Sequence, residues 1–254
     1  MAEGARTRLN CVLIAGGKFH DIDFARLELL KLLAEDGRVR VRVFEDYANL
    51  EAIEKADFML SYTCDVTPGL AAQEALRAFV ERGGRWYALH GTNSILRFLA
   101  DGRVDSPRWA PHFMQTLGSM FIAHPPIAPY LVTNANPDHE LVRGVEPFEV
   151  TDEQYLMQTY GDLTVLLETE FEGQATGFVE DAWAKAKHPV FYLHPIGAGA
   201  VLYLTLGHCR GHFDMQPFID FYPTPERGSW DLPIFHELLR RGITWAKQKV
   251  PDRT

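Results

Sequence analysis

Cysteine is scarce. Cys11, Cys64 and Cys209 are the only three in 254 residues, and no CxxC pair occurs. An odd, scattered set excludes a disulfide framework and a structural zinc knuckle. Basic charge is in deficit, since 25 Lys and Arg against 34 Asp and Glu leave a formal charge of −9. That balance argues against a general nucleic-acid binder or a binder of anionic membranes. No apolar run approaches the roughly 18 residues of a membrane span. The opening MAEGARTRLN lacks the apolar core of a signal peptide, so a reducing cytoplasm is the expected compartment. Neither a GxGxxG fingerprint nor a GxxxxGKS/T phosphate loop is present. No nucleotide cofactor is therefore expected. The GxSxG of a serine-hydrolase elbow is missing as well.

What is present is an ordinary globular composition, with 46% hydrophobic and 23% charged residues. A chain of this length buries roughly 70–75% of its unfolded surface and needs no staple to fold. One domain over residues 1–254 is expected, with a loop-rich insertion near 101–150. Cys11 to Ala15 reads as a strand buried on both faces, ending at Gly16-Gly17. Asp23 is the expected cap of a following helix, with Leu27, Leu30 and Leu33 on its inner face and Gly37 as its stop. Val39, Val41 and Val43 alternate with arginines as a half-exposed strand. A short helix over Leu50 to Lys55 and a strand over Phe58 to Tyr62 follow. Pro68 opens a helix through Leu76, Phe79 and Val80 that Gly83-Gly84 closes, and Trp86 to Leu89 is a fourth strand. A short helical stretch is expected from His90 to Leu99. The alternation predicts an α/β fold with a flavodoxin-like, mostly parallel sheet of order 2-1-3-4, flanked by helices.

Seven prolines between residues 101 and 150 break the rhythm, while Trp109, Phe113, Met114 and Phe121 supply core material there. Strands return at Leu163 to Leu167, Val190 to Leu193 and Val201 to Thr205, the last two joined as a hairpin through Gly197 and Gly199. Residues 207–232 form a second long loop. Its Phe213, Phe218, Phe221, Tyr222 and Trp230 read as pins for a lid, with a sugar pocket as their other use. Pro233 opens a terminal helix packing through Leu238, Leu239, Ile243 and Trp245.

Ligands of open parallel sheets bind at the carboxyl ends of the strands. Those ends carry His20, Asp65, His90 and His208, which would share one rim. His90 stands between a strand and a glycine, the context of a nucleophile elbow, but imidazole there points to a base, a proton donor or a metal ligand. His124 and Glu153 join the set from the insertion, while Asp152 reads as a helix start. Two or three histidines with one carboxylate could hold a divalent ion such as zinc, manganese or iron. His20, His124 and His208 are the candidate metal ligands. His90, Glu153 and Asp65 are the candidate catalytic groups, as proton shuttle, acid or base, and orienting carboxylate. Gly17, Asp21, Cys64 and Tyr155 are candidate substrate-binding residues. Cys64 could instead be a hydrolase nucleophile; Cys11 reads as core and Cys209 as either. His112, His139, His188, His194, His212 and His236 lack a comparable setting and are left as surface or core residues.

Gly16-Gly17-Lys18-Phe19-His20-Asp21, Ala88-Leu89-His90-Gly91, Phe121 to Pro125, Asp152 to Tyr155 and Val201 to His208 together resemble the ThuA-like, trehalose-utilisation family. The resemblance runs over roughly residues 9–248. It implies a class I glutamine amidotransferase-like fold and a role in sugar metabolism beside oxidoreductases that make keto-sugars. The amidotransferase triad itself is missing, because His90 holds the elbow and Cys209-Arg210 follows His208. The expected activity is metal-assisted hydrolysis, isomerisation or elimination on a small sugar or keto-sugar, with the carbohydrate as sole partner and a homo-oligomer left open. A non-catalytic sugar-binding or regulatory module is the alternative.

Overall fold

The computed structural model describes residues 8–248. The opening MAEGART, on which the expectation of no leader partly rests, lies outside them. The first half alternates as expected: β1 (Leu9–Gly17), α1 (Ile22–Ala34), β2 (Val39–Phe44), α2 (Leu50–Glu54), β3 (Phe58–Cys64), α3 (Leu70–Glu81) and β4 (Arg85–Leu89). The second half holds β5 (Arg97–Phe98), β6 (Val104–Asp105), α4 (Pro111–Leu117), β7 (Ser119–Ala123), β8 (Ala128–Asn134) and β9 (Phe148–Asp152). It continues through β10 (Leu156–Thr159), β11 (Thr164–Gln174), β12 (Ala182–Ile196), β13 (Gly199–Leu204) and α5 (Pro233–Lys247).

One nine-stranded sheet runs β2-β1-β3-β4-β13-β12-β11-β8-β9. The β2-β1-β3-β4-β13 stretch is parallel. The remainder is antiparallel, beginning with the expected β12–β13 hairpin. The 2-1-3-4 order is thus present, and β13 inserts beside β4 in the parallel sense, so residues after β13 emerge on the same rim as those after β4. β3 is buried along its whole length, as its apolar run predicts. Two apolar layers cover the sheet. One includes Leu29, Leu33, Leu238 and Trp245 from α1 and α5, the other Leu76, Phe79, Phe113 and Met114 from α3 and α4. Among the described residues no helix is long and apolar enough to cross a membrane.

Five local expectations are corrected. Asp21, not Asp23, caps α1, its Oδ1 accepting the Phe24 N–H at 3.1 Å. The inner face of α1 is Ala25, Leu29, Leu32 and Leu33, while Leu27 is 52% exposed. Steps of three residues drift about 60° per step around a helix, whereas steps of four and three alternate about one face. No helix runs from His90 to Leu99. A single 3-10 turn, His90–Asn93, ends when Asp65 Oδ1 accepts the Leu96 N–H at 3.0 Å and draws the chain into β5. The 101–150 segment is more than loop, since α4, β7, β8 and the start of β9 lie in it, and Trp109 is 57% exposed while Phe113, Met114 and Phe121 are buried. Asp152 starts no helix; it is the last residue of β9.

Gly17 has φ of 107°, and a Cβ there would stand 1.8 Å from the Cys64 carbonyl oxygen. β1 and β3 close on each other only because that position has no side chain. Gly17→Ala is expected to lower stability by more than about 2 kcal/mol. The drop should appear in the urea midpoint with little change in the slope of the transition.

Candidate metal centre

Three strand ends turn through a backbone conformation that side chains rarely adopt. Phe19, Asp65 and His90 have φ of 67°, 58° and 44° just after, or at, the ends of β1, β3 and β4. Each such residue costs on the order of 1–3 kcal/mol and persists only where its surroundings dictate it. The turn after β1 carries His20 inward. The turn after β4 raises His90 from the sheet, with Gly91 beneath it where a Cβ would meet the Thr63 carbonyl at 2.7 Å. His208 follows β13 next to Gly207, whose φ is 126°. Glu153 enters from the end of β9.

His20, His90, Glu153 and His208 are all buried, and one ligand atom from each lies within 4.8 Å of all the others. His90 Nδ1–H donates to the Thr205 carbonyl at 2.8 Å, which leaves its Nε2 with a lone pair facing His20 Nε2, also at 2.8 Å. His20 Nδ1 lies 3.4 Å from the Lys18 carbonyl. His208 Nε2–H donates to Glu226 Oε2 at 2.7 Å. The other ring nitrogen of His208, Nδ1, is 3.1 Å from Glu153 Oε1 but off the line a hydrogen bond needs, so it is buried without a hydrogen-bond partner. Glu153 Oε2 is 3.4 Å from His90 Nε2 and 3.7 Å from His20 Nε2. His124 Nε2 and Arg210 approach Glu153 Oε1 at 3.6 and 3.5 Å.

Burial pushes the His20 imidazolium down to about 3, against the pull of Glu153. Burial also works against a charged His208, but Glu153 and Glu226 together outweigh it and hold the group up at about 9. For Glu153, burial would raise the carboxyl, yet His124, His208 and His20 keep it well below the usual range. The cluster is thus built around one buried carboxylate that needs positive charge beside it.

A cavity opens from the cluster. Phe19, Leu96, Phe98, Phe121, Phe178 and Met215 give it apolar walls, and Cys64, Ser94, His124, Tyr155 and Arg210 give it polar points. Of the candidate metal ligands, His20 and His208 are in the cluster. His124 stands at the cavity wall outside the four-residue set, with Nδ1–H donated to the Pro125 carbonyl at 2.7 Å, and His90 takes the fourth place. Tyr155 reaches His90 Nε2 at 3.4 Å through its hydroxyl. Cys64 lines the cavity, but burial, then Glu153, push its thiol well above the usual range, the opposite of an activated nucleophile. Asp65 lies outside the cluster, its carboxylate taken by the Leu96 N–H and by Lys18 at 3.1 Å. The Asp21 carboxylate is likewise taken, by the Phe24 N–H and Arg227. Gly17 packs against Cys64.

Cys11 is core, as expected, and the Cys209 thiol is buried against the Tyr62 hydroxyl at 3.1 Å. His212 stacks on Phe221 at 4.7 Å, away from the cluster. Of the loop aromatics, Trp230 is buried; Phe213, Phe218 and Phe221 are exposed, though Phe218 stacks one face on Phe98 at 4.1 Å. Sequence reasoning missed Arg210, which its position two residues after His208 could have flagged. It also missed Ser94, near the His90 turn, and Glu226, a charge in a polar loop with no local pattern to mark it.

A family model described as ThuA, trehalose utilisation, matches residues 12–222. Comparison with curated proteins gives no match. Among solved structures, a ThuA-like protein of Parabacteroides merdae is similar over 98% of this chain and 93% of its own, at 16% identity and a TM-score of 0.64. A ThuA-like protein of Bacteroides uniformis matches over 97% and 94%, at 18% identity and a TM-score of 0.63. A cytoplasmic protein of Salmonella typhimurium matches over 94% and 97%, at 13% identity and a TM-score of 0.51. At such identities the likeness is one of fold.

Asp152 fixes the approach of these elements. Its oxygens accept the backbone N–H groups of Glu153 at 2.7 Å, Gly207 at 3.1 Å, His208 at 3.2 Å and Ser229 at 2.9 Å. Asp152→Ala would strand those buried donors and is expected to cost on the order of 3 kcal/mol. Asp152→Asn, which keeps one acceptor oxygen, should cost less. Chemical denaturation of the two variants beside wild type checks the order.

Proposed function

The chain belongs to the ThuA family of trehalose utilisation, and from that membership and the buried cluster we propose an enzyme that processes a small sugar or keto-sugar with a divalent metal ion. A carbohydrate-related role follows from the family. The observation that carries the metal reading is the convergence of four buried ligand atoms, one each from His20, His90, His208 and Glu153, all within 4.8 Å of one another. The donor set fits such an ion. His20 Nε2, His90 Nε2, His208 Nδ1 and a Glu153 oxygen would hold it, and three imidazoles with one carboxylate suit zinc, manganese or iron. The outward nitrogens of His90 and His208 donate to the Thr205 carbonyl and to Glu226, the outer support that ligating histidines need.

A bound ion would supply Lewis-acid polarisation of a carbonyl or a water made acidic enough to attack at neutral pH. The chain's own groups divide the remaining work. His90 and Glu153, expected as shuttle and acid or base, spend their free atoms on the cluster and are assigned to holding the ion. His124 becomes the proton-moving group, because its Nδ1–H is tied to Pro125 while its Nε2 stands at the cavity wall outside the ligand set, 3.6 Å from Glu153 Oε1. Burial and the Glu153 carboxylate hold the Tyr155 phenol well above its usual range, so it stays a donor to a substrate oxygen. Phe98, Phe121 and Phe178 offer flat apolar faces to the C–H side of a sugar ring and keep bulk water out. Proton removal beside a carbonyl would serve isomerisation or elimination, and activated water would serve hydrolysis.

Elemental mass spectrometry on untagged, chelator-free protein is the first test. Near-stoichiometric metal that falls in His20→Ala and His208→Ala is the expected result. Protein that stays metal-free after reconstitution would overturn the metal reading. In a keto-sugar screen, His124→Ala should keep its metal and lose at least about 100-fold in turnover. Undiminished turnover in that variant would remove His124 from its role.

A further inference from the structure

We infer that Glu226 is a positioning residue, which orients His208 so that Nδ1 faces the cluster and so ties the ligand set to the loop beside the cavity. The inference rests on the metal reading above and adds a residue to it. An imidazole on a free side chain can turn over and exchange its two nitrogens. The bond from His208 Nε2–H to Glu226 Oε2, at 2.7 Å, selects one orientation. It also sets the tautomer that leaves Nδ1 available as a ligand.

Glu226 is itself held firmly enough to do this. Its Oε2 accepts from Arg210 Nη1 at 2.9 Å, and its Oε1 accepts from the Tyr222 hydroxyl at 3.1 Å. The main chains of Arg210 and Glu226 exchange two hydrogen bonds, at 2.9 and 2.8 Å, closing the loop between them. The Arg210 guanidinium then reaches the Phe19 carbonyl at 3.3 Å, on the strained turn that carries His20. The same loop sends Met215 into the cavity wall and sets Phe218 behind Phe98. One carboxylate therefore joins a ligand, the loop and the cavity wall.

The test compares wild type, Glu226→Ala and Glu226→Gln by two readouts. Cobalt(II) titration followed by visible absorption measures metal affinity. NMR of the exchange-protected His208 Nε2–H reports the orienting bond without any metal. Glu226→Ala is expected to weaken cobalt binding 10–100-fold and to lose the imidazole signal. Glu226→Gln, whose amide oxygen still accepts from Nε2–H, should stay close to wild type in both. Glu226→Ala that binds cobalt as wild type does, with the signal intact, overturns the inference. So does Glu226→Gln that loses both while near-UV circular dichroism shows it folded. If Glu226→Ala does not fold, Glu226→Gln alone decides by the same criteria. If wild type takes up no cobalt, the metal reading fails instead. The imidazole signal then judges the orienting role, supporting it if lost only in Glu226→Ala and overturning it if kept there.

Discussion

Asp152 ends β9, is buried, and places its two oxygens among four backbone N–H groups from three separate segments. β12, β11 and β8 separate β9 from β13 in the sheet, so no ladder hydrogen bond can bring the ends of those strands together. The carboxylate does it instead. A buried charge is tolerated only where its lone pairs are filled, and here they are filled by the donors whose positions matter. Glu153 follows Asp152 directly, and His208 is one of the residues it holds. The spacing between the cluster's carboxylate and one of its imidazoles is thus set through their main chains, by a residue whose own carboxylate is neither in the cavity wall nor among the clustered ligand atoms.

The other two imidazoles are placed by strain. Phe19 and His90 occupy left-handed backbone without being glycine, and Gly17 and Gly91 beside them remove the Cβ atoms that would keep the strand ends apart. Hydrogen bonds hold the strained residues where they are. The Tyr203 hydroxyl donates to the His90 carbonyl at 2.5 Å and accepts the Asn93 N–H at 2.9 Å. Tyr203 is buried on β13 in the register that pairs it with Ala88 of β4. The parallel insertion of β13 therefore does two things at once. It delivers His208 to the rim, and it clamps the turn from which His90 rises.

How much of this was legible follows from what each residue must satisfy. The parallel strands were readable because burial on both faces leaves an uninterrupted apolar run, as Phe58 to Tyr62 shows. The histidines after them were readable because strand ends are few and known. The antiparallel half was not, beyond its hairpin. β12 extends back from Val190 to Ala182 through alternating alanines and lysines that are mostly exposed, so no apolar pattern marks it. α1 was misregistered by two residues because Asp21 and Asp23 both look like caps, and only the fold leaves Asp23 free to pair with Arg26. Asp152 resembled a helix start since a helix N-terminus and a set of distant N–H groups ask for the same side chain. Glu226 lies in a run of prolines and charges where its meaning depends wholly on His208, 18 residues earlier.

The position of His90 shows why geometry and chemistry separate on such a scaffold. A strained turn after a strand lifts a side chain above the sheet, whatever that side chain is. A serine or thiol lifted there has one reactive atom free. His90 has two nitrogens, and the Thr205 carbonyl engages Nδ1, leaving only Nε2 to face His20 and Glu153. Cys64, the nearest thiol to that role, faces the same carboxylate and is buried, so both influences favour its neutral form. The surroundings that disarm a thiolate, a buried anion and little water, are those that favour positive charge beside Glu153.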